Sequence, residues 1–153
     1  LDGVVIPGGE SSTIDRLMRI FSLDDALRTA LHHGTPVLGT CAGLITLATE
    51  IVDPAPGQRS LGIIPMRVRR NAFGRQVDSA VEAIDSAYGQ VTAAYIRAPE
   101  VVAVGEGVKV IATKGERIVG VETDSALAVS FHPELTGDTT IHARFLYKVA
   151  SSA

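Results

Sequence analysis

The first half of the chain alternates short apolar runs with amphipathic stretches. Val4-Val5-Ile6-Pro7 and Pro36-Val37-Leu38 are continuous apolar runs, which are typical of strands covered on both faces. Between them, apolar residues fall at helical spacing from residue 14 to 21 and again from 23 to 31. This order of strand, helix, helix and strand predicts an α/β fold with parallel pairing.

Polar residues and breaks set the predicted ends of these helices. Ser12 with Asp15 resembles a capping box, so the first helix is predicted to begin there. A second cap is predicted over 22–25, and Gly34 ends that helix. A third helix is predicted over 44–50, where apolar residues continue directly after a glycine-rich turn.

The second half of the chain has sequence patterns typical of strands. After a proline- and glycine-rich loop over 53–58, stretches with β-branched or alternating character are separated by glycine, proline or charged breaks. Strands are predicted over 63–69, 77–83, 92–97, 108–113, 118–122 and 127–131. Lys114-Gly115-Glu116 predicts a hairpin turn, and a last helix is predicted over about 138–149. The predicted class is therefore a three-layer α/β fold with a mainly parallel central sheet, flanking helices and extra antiparallel strands.

Composition narrows the class of protein. With 153 residues and 46% hydrophobic content, the chain predicts one globular domain and excludes disorder. Its net charge of -3 gives no global attraction to nucleic acid, and no apolar run is long enough to suggest a membrane span. The single cysteine cannot form an internal disulfide, and no targeting segment is evident, so a cytoplasmic location is expected.

The candidate nucleophile is that cysteine, in the turn Gly39-Thr40-Cys41-Ala42-Gly43. The turn joins a strand signal to a helix signal, as a nucleophile elbow does. The start of a helix favours a thiolate, and the N–H of Ala42 is where an oxyanion-hole donor is expected. By itself this short pattern also fits a buried structural cysteine.

The candidate base lies far along the chain, in His132-Pro133-Glu134. Proline favours an extended backbone before it, and residues two apart in an extended segment share a face. We therefore predict that Glu134 orients the imidazole of His132, which serves as base and then acid for Cys41.

Three segments together resemble the class I (triad) glutamine amidotransferase family. They are Pro7-Gly8-Gly9-Glu10-Ser11, the Cys41 turn and Phe131-His132-Pro133-Glu134. Arg70-Asn71-Ala72-Phe73-Gly74-Arg75-Gln76 and Tyr95-Ile96-Arg97-Ala98-Pro99 narrow the resemblance to the glutaminase subunits of pyridoxal 5'-phosphate synthase. The resemblance extends from the first residues to the final helix.

The resemblance implies hydrolysis of L-glutamine to L-glutamate and ammonia, with the ammonia passed to a (β/α)8-barrel synthase subunit. It implies the roles of nucleophile for Cys41, acid and base for His132, and orienter for Glu134. The backbone around Gly9 and Ala42 would hold the oxyanion. The residues implied for the glutamine pocket, besides Ala42, are Gly9, Glu10, Ser11, Arg70, Ile96 and Arg97.

Two other functions remain open on the sequence. The same triad would serve another amidotransferase, such as the glutaminase of imidazole glycerol phosphate synthase, and a non-catalytic scaffold subunit could keep the fold. No cofactor is expected, and no metal site, because a second cysteine and histidines at ligand spacing are absent from the sequence. Because Leu1 opens almost directly into a strand, without the family's first strand, helix and second strand, an N-terminally truncated single glutaminase domain is expected.

Overall fold

The protein is described from a computed structural model, which describes residues 1–72 and 79–152. Its helices are α1 Ser11–Ile20, α2 Asp24–His32, α3 Ala42–Leu47, α4 Pro133–Thr136 and α5 Thr140–Ser151. Its strands are β1 Val4–Ile6, β2 Val37–Thr40, β3 Ala48–Ile51, β4 Ile64–Arg69, β5 Ser79–Ser86, β6 Gly89–Ile96, β7 Glu100–Val104, β8 Lys109–Lys114, β9 Arg117–Glu122 and β10 Ala126–Val129.

The strands of the described residues form one mixed sheet in which neighbours follow the order β1-β2-β10-β9-β7-β4-β3. β2 lies between β1 and β10 and is parallel to both. β9 then pairs antiparallel with β10, and β5, β6 and β8 extend the sheet off this path. The predicted α/β class, with flanking helices and extra antiparallel strands, is confirmed. The parallel pairs are β1–β2, β2–β10 and β3–β4, and the other strand pairs of the described residues are antiparallel.

Both faces of β2 and β10 are buried. The prediction that both faces of Val4-Val5-Ile6 are covered is wrong, because β1 ends the strand order and its Val5 is 51% exposed. Along β2, Val37 packs into a core with residues of α1, α2 and α3, whereas Leu38 packs into a second core with residues of α5 and the β5–β6 hairpin. Ala128 and Leu127 of β10 divide between the same two cores. Alternate residues of a strand point to opposite faces, so continuous apolar runs are what a doubly covered sheet requires.

Three features of the secondary structure differ from the prediction. The third helix was expected to run to residue 50 but ends at Leu47, and Ala48–Ile51 forms β3 alongside β4. β7, Glu100–Val104, is absent from the predicted strands. The cap of α1 is Glu10 rather than Ser12, since the Glu10 carboxylate accepts the N–H of Thr13.

The other predicted elements are found with small shifts at their ends. The hairpin turn at Gly115 is found between β8 and β9, where Lys114 pairs with Arg117. The strand predicted over 77–83 begins outside the described residues, and its described part belongs to β5.

Candidate active site

Three neighbouring parallel strands end at one edge of the sheet. Ile6 of β1 lies opposite Gly39 of β2, and Val129 of β10 lies opposite Thr40. The N–H of Cys41 donates to the carbonyl of Val129 at 2.8 Å. The segments that follow the three strands, which begin at Pro7, Cys41 and Ser130, therefore meet at this edge, where open α/β sheets place their chemistry.

The Cys41 turn is a strained elbow held by close backbone approaches. Cys41 has φ 51°, a left-handed conformation that is unusual for a residue with a Cβ. A Cβ at Gly43 would lie 2.0 Å from the carbonyl oxygen of Ile6, and one at Gly39 would lie 2.7 Å from the Gly43 backbone. The two glycines let β1, β2 and α3 approach closely enough to fix the sulfur at the start of α3.

His132 and Glu134 form a close pair. Nδ1 of His132 lies 2.8 Å from Oε1 of Glu134, so the carboxylate holds the ring with Nδ1 protonated and leaves Nε2 available as a base. The extended backbone predicted through Glu134 is wrong: His132 has φ -107° and ψ 89°, and Pro133 begins the short helix α4. The pair forms across this helical turn, with proline at a position that needs no N–H donor.

Gly8, in the segment that follows β1, lies against the same imidazole. A Cβ at Gly8 would lie 2.3 Å from Cε1 of His132. The ring therefore packs directly on the backbone that follows β1, although β1 and β10 are separated by β2. This contact brings the loop that carries Gly9 and Glu10 next to the candidate base.

The Cys41 sulfur lies in an environment that favours the neutral thiol. Burial raises the pKa of Cys41 to about 11, the N–H of Ala42 opposes that rise, and the negative charge of Glu134 adds to it. The thiol donates to the carbonyl of Ile96 across 3.8 Å. The expectation that the helix start favours thiolate is therefore not met in the resting site, because desolvation outweighs one N–H and a short helix.

The sulfur opens on a cleft of about 360 Å³. Six of the residues implied for substrate binding line it together with Cys41: Gly9, Glu10, Ser11, Ala42, Arg70 and Arg97. Ile96 is absent from this lining and meets the site through its carbonyl. Ile45 and Asn71 also line the cleft and were not singled out from the sequence; the position of Ile45 one turn after Cys41 was the available signal.

Charges of both signs face one another in this cleft. Glu10 and Arg70 form an ion pair of 3.2 Å. The hydroxyl of Ser12, with further donors from Thr13, lowers the pKa of Glu10 to about 2, so this carboxylate stays ionised. Arg97 has φ 46° and forms no ion pair within the described residues. A carboxylate and two guanidiniums can complement a zwitterion.

The remaining sequence predictions concern the arginine-containing segment, a metal site and a membrane span. Phe73, Gly74, Arg75 and Gln76 of the arginine-containing segment lie outside the described residues. Over residues 1–72 and 79–152, no group of three His, Cys, Asp or Glu side chains is arranged to hold a metal ion. Within the same ranges, no helix has the length and hydropathy needed to span a membrane.

Comparison with known proteins gives concordant matches. A pyridoxal 5'-phosphate synthase subunit PdxT from Parafrankia sp. (strain EAN1pec) is 49% identical over 156 residues, covering 99% of this chain and 76% of that protein. The PdxT subunit from Streptomyces griseus subsp. griseus is 52% identical over 149 residues, covering 95% of this chain and 76% of that protein. A crystal structure of a glutamine amidotransferase superposes with a TM-score of 0.91 at 43% identity, covering 98% of this chain and 80% of that one.

A more distant structure shares the fold alone. It comes from Thermoplasma acidophilum and is named as a GMP synthase component, with a TM-score of 0.65 at 18% identity, covering 99% of this chain and 74% of that one. The model of the SNO glutamine amidotransferase family matches residues 1–151, almost the whole chain. With this match and relatives of about half-identical sequence, the chain belongs to the SNO glutamine amidotransferase family.

Proposed function

We propose that this chain is the glutaminase subunit of a pyridoxal 5'-phosphate synthase. It hydrolyses L-glutamine to L-glutamate and ammonia, and it passes the ammonia to a (β/α)8-barrel synthase subunit for vitamin B6 synthesis. The observation that supports the proposal is that the Cys41 elbow follows β2 and the His132–Glu134 pair follows β10, its parallel neighbour, at the same edge of the sheet. Membership of the SNO family and the names of its PdxT relatives support it.

The reaction begins with a neutral thiol, because burial keeps the pKa of Cys41 at about 11. Sγ attacks the carboxamide carbon of glutamine while Nε2 of His132 accepts the thiol proton. The former carbonyl oxygen becomes an oxyanion, which the N–H of Ala42 and the backbone at Gly9 stabilise. Glu134 stabilises the imidazolium that forms during this step.

The second half of the reaction releases both products. His132 returns its proton to the carboxamide nitrogen, the C–N bond breaks, and ammonia leaves a thioester on Cys41. Water then adds to the thioester while His132 accepts its proton, the C–S bond breaks, glutamate is released, and His132 returns the proton to the sulfur to restore the thiol. No other reactant is needed for this balance.

The charges of the cleft suit the other end of glutamine. Arg70 and Arg97 supply guanidinium groups for the α-carboxylate, and Glu10 supplies a carboxylate for the α-ammonium. Because Glu10 remains ionised far below neutral pH, its charge is available throughout the physiological range. These assignments extend the family resemblance to the side chains that line this cleft.

The Gly8→Ala variant tests the contact that holds His132. The added methyl meets the imidazole, which is the mobile end of a side chain, so we expect the ring to shift and the fold to persist. Because a misplacement of about 1 Å in an active site can cost about 10²-fold, we expect kcat to fall by about that factor. Measured glutamate release should show the loss in kcat rather than in KM, with a melting temperature close to that of the parent. A kcat equal to the parent's would contradict the assigned contact.

The direct test of the proposed function is glutamate release with and without the synthase subunit. We expect slow hydrolysis by the isolated chain and faster hydrolysis in the complex, because uncoupled hydrolysis wastes glutamine. Formation of pyridoxal 5'-phosphate from glutamine and the sugar phosphates, without added ammonium, would establish ammonia transfer. If ammonium salts alone support the synthase and glutamine does not, the proposed role is wrong.

A further inference from the structure

A polar residue outside the cleft forms a hydrogen bond with one of the side chains that line it. Gln58 lies in the loop between β3 and β4 and borders a neighbouring cavity of about 170 Å³ rather than the cleft. Its Nε2 donates to Oγ of Ser11 at 2.9 Å. Ser11 is the first residue of α1, is 4% exposed and lines the cleft beside Cys41.

The orientation of the Gln58 amide is fixed by a second hydrogen bond. Its Oε1 accepts the N–H of Ala55 at 3.0 Å. A backbone N–H can only donate, so the oxygen of the amide must face Ala55 and the NH₂ group must face Ser11. The loop that carries both partners is anchored to α1, since the N–H of Arg59 donates to Asp15 at 3.0 Å.

This arrangement determines what Ser11 can offer to a ligand. A hydroxyl has one proton and two lone pairs, and the contact from Gln58 occupies a lone pair. Within the described residues the Ser11 hydroxyl makes no other hydrogen bond. Its proton therefore has no acceptor among those residues, and the cleft is the space in which an acceptor can approach.

We propose that Gln58 is a positioning residue that makes Ser11 a hydrogen-bond donor toward the substrate. An oxygen atom of the substrate can accept the hydroxyl proton, whereas an ammonium group has no lone pair with which to accept it. With two arginines lining the same cleft, the acceptor is the α-carboxylate of the amino-acid substrate. The proposal rests on the proposed glutaminase function and adds a determinant of substrate orientation to it.

Two substitutions separate this role from simple support of the loop. Gln58→Glu keeps an oxygen for the Ala55 N–H but presents a second acceptor to Ser11, which then turns its proton away from the cleft. Gln58→Met has similar length and loses both hydrogen bonds, which leaves Ser11 free to rotate. We expect the KM for glutamine to rise about tenfold for Glu and about two- to threefold for Met, with kcat nearly unchanged. A purely structural role predicts the opposite order, with Met worse than Glu.

The Ser11→Ala background provides the matched control. Without the hydroxyl, Gln58→Glu and Gln58→Met should leave KM unchanged relative to Ser11→Ala alone. If Gln58→Glu raises KM equally in both backgrounds, its added charge explains the effect and the proposal fails. If Gln58→Glu does not fold, as judged by its melting temperature, the Met variant decides: its KM effect must be present with Ser11 and absent with Ala.

The assays use the full chain together with its synthase subunit, and glutamate release by the parent is measured first. Absence of release by the parent would contradict the proposed glutaminase function. Release by the parent with the same KM in every Gln58 variant would contradict only the role of Gln58. The two failures are therefore distinguishable.

Discussion

We expect glutamine hydrolysis to fall by at least about 10⁴-fold in the Cys41→Ala variant. In the proposed mechanism Sγ of Cys41 attacks the carboxamide, and no other described side chain lining the cleft carries sulfur. Alanine retains the Cβ and meets the same left-handed backbone at φ 51° as cysteine does. The elbow and the cleft should therefore survive, and glutamine should still bind.

Two measurements check this expectation. Glutamate release in the complex with the synthase subunit gives the loss of turnover, and calorimetric titration with glutamine gives the affinity that remains. A melting temperature within a few degrees of the parent excludes unfolding as the cause. Retention of more than about one per cent of the activity would refute the assignment of Cys41 as nucleophile.

The elements of the site were predictable because each is encoded locally. The Cys41 turn carries glycines at both ends, and the backbone approaches at Gly39 and Gly43 require them. His132 and Glu134 are separated by one residue, so their contact depends on a few dihedral angles. The predicted contact is confirmed. The predicted backbone conformation is wrong, since Pro133 starts a helix where an extended segment was expected.

The errors in the predicted fold occur where contacts with residues distant in the sequence determine the secondary structure. Ala48-Thr49-Glu50 has helical composition, but β4 pairs with this segment, as Glu50 opposite Arg67 illustrates. Tertiary pairing overrides such local preference. The connection from Gln58 to Ser11 spans 47 residues and has no periodic signal in the sequence.

The state of the nucleophile also depends on the assembled structure. A sequence identifies the start of a helix next to Cys41, and that feature alone predicts a lowered pKa. It cannot give the desolvation that comes from packing the elbow under neighbouring segments, which dominates the raised pKa in the folded protein. In the proposed mechanism such a thiol requires His132 as the base that removes its proton.

Gly43 is the position where local preference and tertiary packing make opposite predictions for stability. It is the second residue of α3, and within a helix alanine is normally favoured over glycine by about 0.5–1 kcal/mol. However, a Cβ at this position would lie 2.0 Å from the carbonyl oxygen and 2.9 Å from the carbonyl carbon of Ile6. Both are backbone atoms of β1, so no side-chain rotation can relieve the overlap.

We therefore expect Gly43→Ala to destabilise the protein by about 3 kcal/mol, toward the upper end for overpacking of a core, because α3 must separate from β1. For a domain of this size the melting temperature should fall by about 6–12 °C. Thermal unfolding followed by circular dichroism measures the shift. Gly8→Ala is the matched control, since its methyl meets a side chain and should leave the melting temperature nearly unchanged. A Gly43→Ala variant as stable as the parent, or more stable, would contradict the close packing of α3 on β1.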